Sequence, residues 1–176
     1  MIEIFISDRR VGRMALTPEG LCGFEYDADW IQSGFSISPF YLPLKPGLIM
    51  AKRDPFGGNF GVFDDSLPDG WGNLLLDRYC QEKGVDPYKL NILERLSLIG
   101  STGRGALEYR PDKSIVTDDE FQNFDRLANE IEKILESKES TGSVDLLYKY
   151  GGSSGGARPK IFVKLDGCEW LVKFKA

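Results

Sequence analysis

Residues 150–174 read YGGSSGGARPKIFVKLDGCEWLVKF. Four glycines, Gly151, Gly152, Gly155 and Gly156, flank Ser153 and Ser154 just before two alternating runs, residues 161–165 and 168–174, which Asp166-Gly167 joins. Asp-Gly between alternating runs is the strongest short-range hairpin signal, and a two-residue turn sets the register. The sequence therefore predicts a hairpin with Leu165 opposite Cys168, Lys164 opposite Glu169, Val163 opposite Trp170, Phe162 opposite Leu171, Ile161 opposite Val172 and Lys160 opposite Lys173. One face (Ile161, Val163, Leu165, Cys168, Trp170, Val172) is wholly apolar and is expected to point into a core. The other sets two lysines against each other. Like charges directly opposite are destabilising unless the sheet bulges, one side chain turns to water, or an anion lies between them. A glycine-rich loop lets backbone N–H groups approach phosphate oxygens without Cβ obstruction, and serine hydroxyls add donors. Phe162 and Leu171 would then offer an apolar patch to a purine. The same glycines also suit a flexible surface linker, and residues 151–156 carry so little side chain that a mobile loop is expected. Neither Walker A, since Ala157 follows Gly156, nor G-x-G-x-x-G is present.

Upstream of the loop, residues 144–150 form a short element of undecided type behind a polar linker, residues 137–142. Before the linker, Thr117-Asp118-Asp119-Glu120 reads as a capping box. Phe121, Phe124, Leu127, Ala128, Ile131, Ile134 and Leu135 then recur at helical spacing, so a helix of about five turns is predicted there, its apolar stripe facing a core. The first 110 residues are dominated by short alternating segments. Ile2, Ile4 and Ile6, the polar turn Ser7-Asp8-Arg9-Arg10 and residues 11–16 read as a hairpin; residues 21–26, 35–42 and 60–63 are further strand candidates between Pro and Gly clusters. A helix is predicted from Gly70, with Asp69 as N-cap and Gly84 at C′. A second has Asp86 as N-cap, Pro87 at its first position and Leu90, Leu93, Leu96 and Leu98 before Gly100. Residues 106–109 read as a returning strand. The fold class is α+β, with a mixed N-terminal sheet.

At 176 residues, 41% hydrophobic and 28% charged, the chain has the composition of a folded domain with room for an appendage. Its net charge of −5 disfavours general nucleic-acid binding. It contains no histidine, which removes Ser-His-Asp and Cys-His catalysis, HExxH metalloproteases and most zinc or iron enzymes. Cys22, Cys80 and Cys168 are too far apart for CxxC pairs and odd in number, so a reducing cytoplasm is the expected location. There is no signal-like apolar region, no membrane-length apolar run and no basic amphipathic helix.

With these motifs laid out, the chain resembles the HipA-like serine/threonine kinases of bacterial type II toxin–antitoxin modules. Phe63-Asp64-Asp65-Ser66-Leu67-Pro68-Asp69-Gly70-Trp71-Gly72 is similar to the family's F-x-D-x-x-P-D-x-W-G signature. Gly103-Arg104-Gly105-Ala106-Leu107 resembles the segment before its closing strand. Ser153-Ser154-Gly155-Gly156-Ala157-Arg158-Pro159-Lys160 resembles its S-x-x-G-A-x-x-K loop, and Leu171-Val172-Lys173-Phe174 the strand bearing its ATP lysine. Taken singly, Pro68, Asp69 and Trp71 also suit a strand stop, a helix cap and a packing residue.

The resemblance implies residues 1–110 as a HipA-type N-terminal subdomain, 111–142 as a connecting helix and linker, and 143–176 as the glycine loop and hairpin that begin a kinase nucleotide lobe. It implies nucleotide contacts from Gly152, Ser153, Ser154, Gly155, Gly156, Ala157 and Lys173, with Lys173 on the α- and β-phosphates of ATP. Ser153, with Ser154 as adjacent alternative, stands where the family is autophosphorylated. ATP and Mg²⁺ are implied for the complete kinase, with neither expected to be held by this chain. The implied partners are a protein substrate, commonly an aminoacyl-tRNA synthetase, and a helix-turn-helix antitoxin, through which DNA is met indirectly. A kinase also needs a catalytic Asp and metal-binding Asn and Asp, for which no motif occurs here, so no catalytic residue is assigned and the chain alone is expected to be inactive. The alternatives are a free-standing interaction subunit or antitoxin-like subdomain that docks on a separate HipA-type kinase, and a nucleotide-binding domain unrelated to kinases.

Overall fold

The computed structural model describes residues 1–115, 123–136, 144–153 and 155–175. The expected capping box at 117–120, Phe121, the linker at 137–142 and Ser154 lie outside these residues. The chain divides into two compact units, Met1–Leu67 with Leu90–Ser114, and Pro68–Lys89 with Ile115–Ala176. This differs from the linear division at 110 and 142, because the helix that follows Pro68 packs on C-terminal elements.

In the first unit, β1 (Ile2–Ile6), β2 (Arg9–Leu16), β3 (Cys22–Tyr26), β4 (Ile49–Met50) and β5 (Glu108–Arg110) form one sheet in the order β4-β3-β2-β1-β5. Every pairing is antiparallel, so the sheet is not mixed. The β1–β2 turn is only Ser7-Asp8, both at positive φ (47° and 64°), as tight hairpin turns require. Helices α1 (Ala28–Ser33), α2 (Gly61–Asp64) and α4 (Ile92–Ile99) complete this unit, with α4 against β2 and β5. Its core gathers Ile4, Met14, Phe24, Trp30, Phe63, Leu96, Ile99 and Tyr109.

Three expectations between residues 35 and 99 are corrected. Residues 35–42 form no strand: the Tyr26 hydroxyl donates to Leu42 O (2.7 Å) and accepts from Ile37 N–H (3.1 Å), so the segment wraps around a side chain. Residues 61–63 fall in the one-turn helix α2 with Phe60 as its N-cap, and Phe60 and Phe63 are both buried, where an extended strand would send them to opposite faces. The helix expected from Asp86 is two pieces. Asp86 starts only a 3₁₀ turn, Pro87–Lys89, and α4 begins afresh at Asn91, whose side chain and that of Glu94 form a reciprocal capping box.

Asp112 accepts hydrogen bonds from Ser101 N–H (3.0 Å) and Ser114 N–H (2.8 Å). Partial desolvation pushes its pKa up, but these hydrogen bonds outweigh it and hold the carboxyl below its ordinary value. A lowered folded pKa contributes stability that is complete above about pH 4 and is lost as pH falls through the folded value. Denaturant midpoints measured from neutral to acid pH should therefore fall more for the wild type than for Asp112→Asn; parallel profiles would refute the linkage.

The second unit contains α3 (Gly70–Glu82), the 3₁₀ turn, α5 (Phe124–Leu135), α6 (Val144–Gly151) and the hairpin β6 (Lys160–Leu165) and β7 (Cys168–Lys173). Helix α3 ends as expected at Gly84, where Val85 N–H reaches Cys80 O (2.8 Å) and Gly84 N–H reaches Gln81 O (3.0 Å). The described part of α5 starts behind Asn123, whose side chain accepts from Asp125 N–H, and buries Leu127, Ile131 and Ile134. The undecided element is α6: it buries Val144, Leu146, Leu147 and Tyr148 and packs on α3 and β6. Among the described residues, no helix is long and apolar enough to cross a membrane.

Candidate functional site

Helix α6 runs directly into the glycine loop. Gly151 is its last residue, and Gly152 N–H continues the helical bonding to Tyr148 O (2.8 Å). Gly151 and Gly152 are buried, Ser153 is half-buried, and Gly155, Gly156 and Ala157 are exposed before Pro159 and Lys160 dive under the surface into β6. The hairpin has the register that Asp166-Gly167 predicts in all six pairs, without a bulge. Beyond its last pair, Phe174 N–H donates to Pro159 O (2.9 Å) and Arg158 Nε donates to Phe174 O (3.0 Å).

The loop is held by the first turn of α3. Asp69 sits at the N-cap position with extended backbone, yet its side chain makes no capping bond. Both carboxylate oxygens instead accept from Gly156 N–H, at 2.6 and 2.7 Å. Trp71 N–H donates to Gly156 O (3.2 Å), and its indole Nε1–H donates to Lys160 O (3.0 Å). Gly72 lies so close that a Cβ there would overlap the carbonyl oxygen of Gly152 and come within 2.8 Å of Pro68 Cβ. Gly156 has φ +88°, where a side chain is strained. The described residues of this loop thus carry hydrogen bonds and close packing made through their backbone.

The two lysines of the pair have different surroundings. Lys160 is only 6% exposed, and its ammonium donates to Gly155 O and Gly156 O, the latter at 3.0 Å. The loop carbonyls thus take the place of water around the Lys160 ammonium. Lys173 itself is exposed, and its side chain has no hydrogen-bond or ion-pair partner among the described residues. On the same face Phe162 is half-buried and Leu171 is 46% exposed. The other face is buried only on β6: Ile161 and Val163 are in the core, whereas Cys168 is exposed and Trp170 is 57% exposed. The apolar set was expected to be covered throughout. Strand β7 is the outer strand of a two-stranded sheet, and among the described residues no third strand covers it.

The structure thus brings Gly152, Ser153, Gly155, Gly156 and Ala157 into one loop beside Lys173 on β7; Ser154 lies outside the described residues. The arrangement sets a glycine backbone beside the exposed ammonium of Lys173, residue types suited to an anion with several oxygens. Sequence reasoning missed that Asp69 and Trp71 serve this loop. Their partners lie 87 and 89 residues away, and a capping residue followed by an aromatic at a helix start reads locally as nothing more. For the lysine pair it left open a bulge, a solvated side chain or an intervening anion; the loop carbonyls that hold the Lys160 ammonium are invisible to side-chain counting.

The protein-family model of the HipA N-terminal domain matches residues 2–110. No curated protein matches the chain. Among solved structures, the chain is similar to one from Shewanella oneidensis MR-1, described as the toxin–antitoxin system HipA, HipB and its operator DNA complex. That match has a TM-score of 0.54 and 22% identity, and covers 97% of this chain and 37% of the other. The likeness concerns the fold, and the chain spans little more than a third of that relative's length.

Proposed function

The chain belongs to the family of HipA N-terminal domains, and from that membership we propose that it is the N-terminal part of a HipA-type serine/threonine kinase toxin, which uses ATP to phosphorylate a protein. The observation that carries this reading is the glycine loop at the end of α6 beside Lys173. With Lys160 held by the loop carbonyls, Lys173, opposite it at the loop end of the hairpin, is the cation proposed for phosphate oxygens, whereas Lys164 on the same face sits at the turn end. The backbone of residues 152–156, with Ser153 and Ser154, would cover the phosphates while Lys173 balances their charge. Ser153, or Ser154 beside it, is the proposed autophosphorylation site.

Among the described residues, no group of three or more Asp, Glu or Cys side chains is placed to hold a metal ion, and none is given that role. By analogy with the HipA–HipB–operator complex, we assign a helix-turn-helix antitoxin as partner and DNA contact only through it, in keeping with the net charge of −5. A cytoplasmic location and a protein substrate such as an aminoacyl-tRNA synthetase belong to the same reading. A docking subunit for a separate kinase is the second reading, favoured by the exposed Trp170 and Leu171 on uncovered β7.

Titration of the 176-residue chain with ATP, followed by amide chemical shifts, tests the nucleotide reading. Affinity near millimolar, about −4 kcal/mol, is expected. Lys173→Met should weaken it about tenfold, the worth of one charge-assisted contact, whereas Lys164→Met, also an exposed hairpin lysine, should leave it unchanged. Equal effects of the two would overturn the site.

A further inference from the structure

Asp69 is a capping residue type in a capping position, at the head of a thirteen-residue helix, that does not cap. Its carboxylate has left the amides of its own helix for Gly156 N–H, which both oxygens reach. Gly156 is exposed, so burial does not force this contact. A carboxylate on a glycine-loop amide has the charge sign and acceptor geometry of a phosphate oxygen. A phosphate oxygen bonded to that amide would lie within about 3 Å of an Asp69 oxygen, and two anions do not share one donor at that range.

We infer that Asp69 is a positioning residue that acts as the resident anion of the glycine loop: it occupies the Gly156 amide that a nucleotide phosphate takes, and nucleotide entry requires it to let go. The inference rests on the nucleotide reading above. The released carboxylate has somewhere to go. Turned back onto the first turn of α3, it becomes the side-chain cap that its position calls for, and it can accept from Trp71 N–H, which the departing Gly156 carbonyl vacates. In the exchange the Gly156 amide passes to the phosphate and Trp71 N–H to Asp69, while the Gly156 carbonyl gives up Trp71 N–H and keeps the Lys160 ammonium (3.0 Å). Lys160, bonded to the carbonyls of Gly155 and Gly156 and not to their amides, does not compete with phosphate.

Two readouts on the 176-residue chain test this: hydrogen exchange at the Gly156 amide, and ATP affinity by titration to about 20 mM, well above the ~1 mM expected. In Asp69→Ala, Gly156 exchange should speed up at least tenfold and ATP should bind about tenfold more tightly. Asp69→Asn keeps an acceptor but drops the charge; it should retain part of the protection and bind ATP about threefold more tightly, and it serves where the alanine variant does not fold. Unchanged Gly156 exchange in Asp69→Ala, or ATP binding that weakens or stays the same in both variants, overturns the latch while leaving the nucleotide site standing. Absence of ATP binding in the wild type and both variants overturns the nucleotide reading and the latch together.

Discussion

Trp71→Ala should destabilise the second unit by about 3–5 kcal/mol, the range for truncating a fully buried aromatic. Trp71 is 1% exposed, and its indole N–H holds the carbonyl oxygen of Lys160 at the start of β6. The substitution therefore opens a large cavity and leaves that buried carbonyl without the indole donor. Trp71→Phe separates the two effects: most of the volume remains and only the hydrogen bond goes, for which about 1–2 kcal/mol is expected. Against a domain stability of about 5–15 kcal/mol, the alanine variant should show premature urea unfolding and fast amide exchange across α3, α6 and β6, with β1–β3 unaffected. A loss below about 1 kcal/mol would mean that the indole is not the anchor its burial indicates.

Gly72→Ala reverses the usual sign. In an exposed helix, replacing glycine by alanine gains up to about 1 kcal/mol. Here the new methyl would overlap the carbonyl oxygen of Gly152 and press on Pro68, obstacles that include backbone and cannot swing aside. Overpacking of this kind costs about 1–3 kcal/mol and occasionally more; with the first turn of α3 and the glycine loop both displaced, a net loss of about 3 kcal/mol is expected. Thermal denaturation compared with wild type is sufficient, and a stabilised variant would show that α3 and the loop are not in contact at this point.

What could be read from the sequence was what local chemistry encodes. Alternation on either side of a polar turn specifies β1–β2, although β2 already starts at Arg9, inside the four-residue turn read from the sequence. Asp166-Gly167 fixes all six pairs of β6–β7. The Gly84 stop of α3 has its own backbone signature. The misses share a cause, which is that a distant partner outranks the local preference. Residues 35–42 look strand-like until the Tyr26 hydroxyl takes their backbone groups. The Asn91–Glu94 capping box was overlooked because Asp86-Pro87, five residues earlier, carries a stronger start signal but serves only a single 3₁₀ turn. Of the candidate site, the loop and Lys173 were legible as residue types. The grip of Asp69 on Gly156 was not, since nothing near residue 69 specifies a partner 87 positions on.

The interleaving of the two units also sets an order of events during synthesis. Residues 68–89 are made early, between two segments of the first unit, but belong with elements made after residue 114. Trp71 leaves the ribosome 89 residues before the carbonyl that its indole holds. At about 5–20 residues per second, that wait is roughly 5–20 s. Through that interval an aromatic destined for full burial has no acceptor for its N–H, on a nascent chain whose first unit must still recruit residues 90–114 across the gap. The signature around Trp71 is therefore also a stretch that a chaperone would meet first.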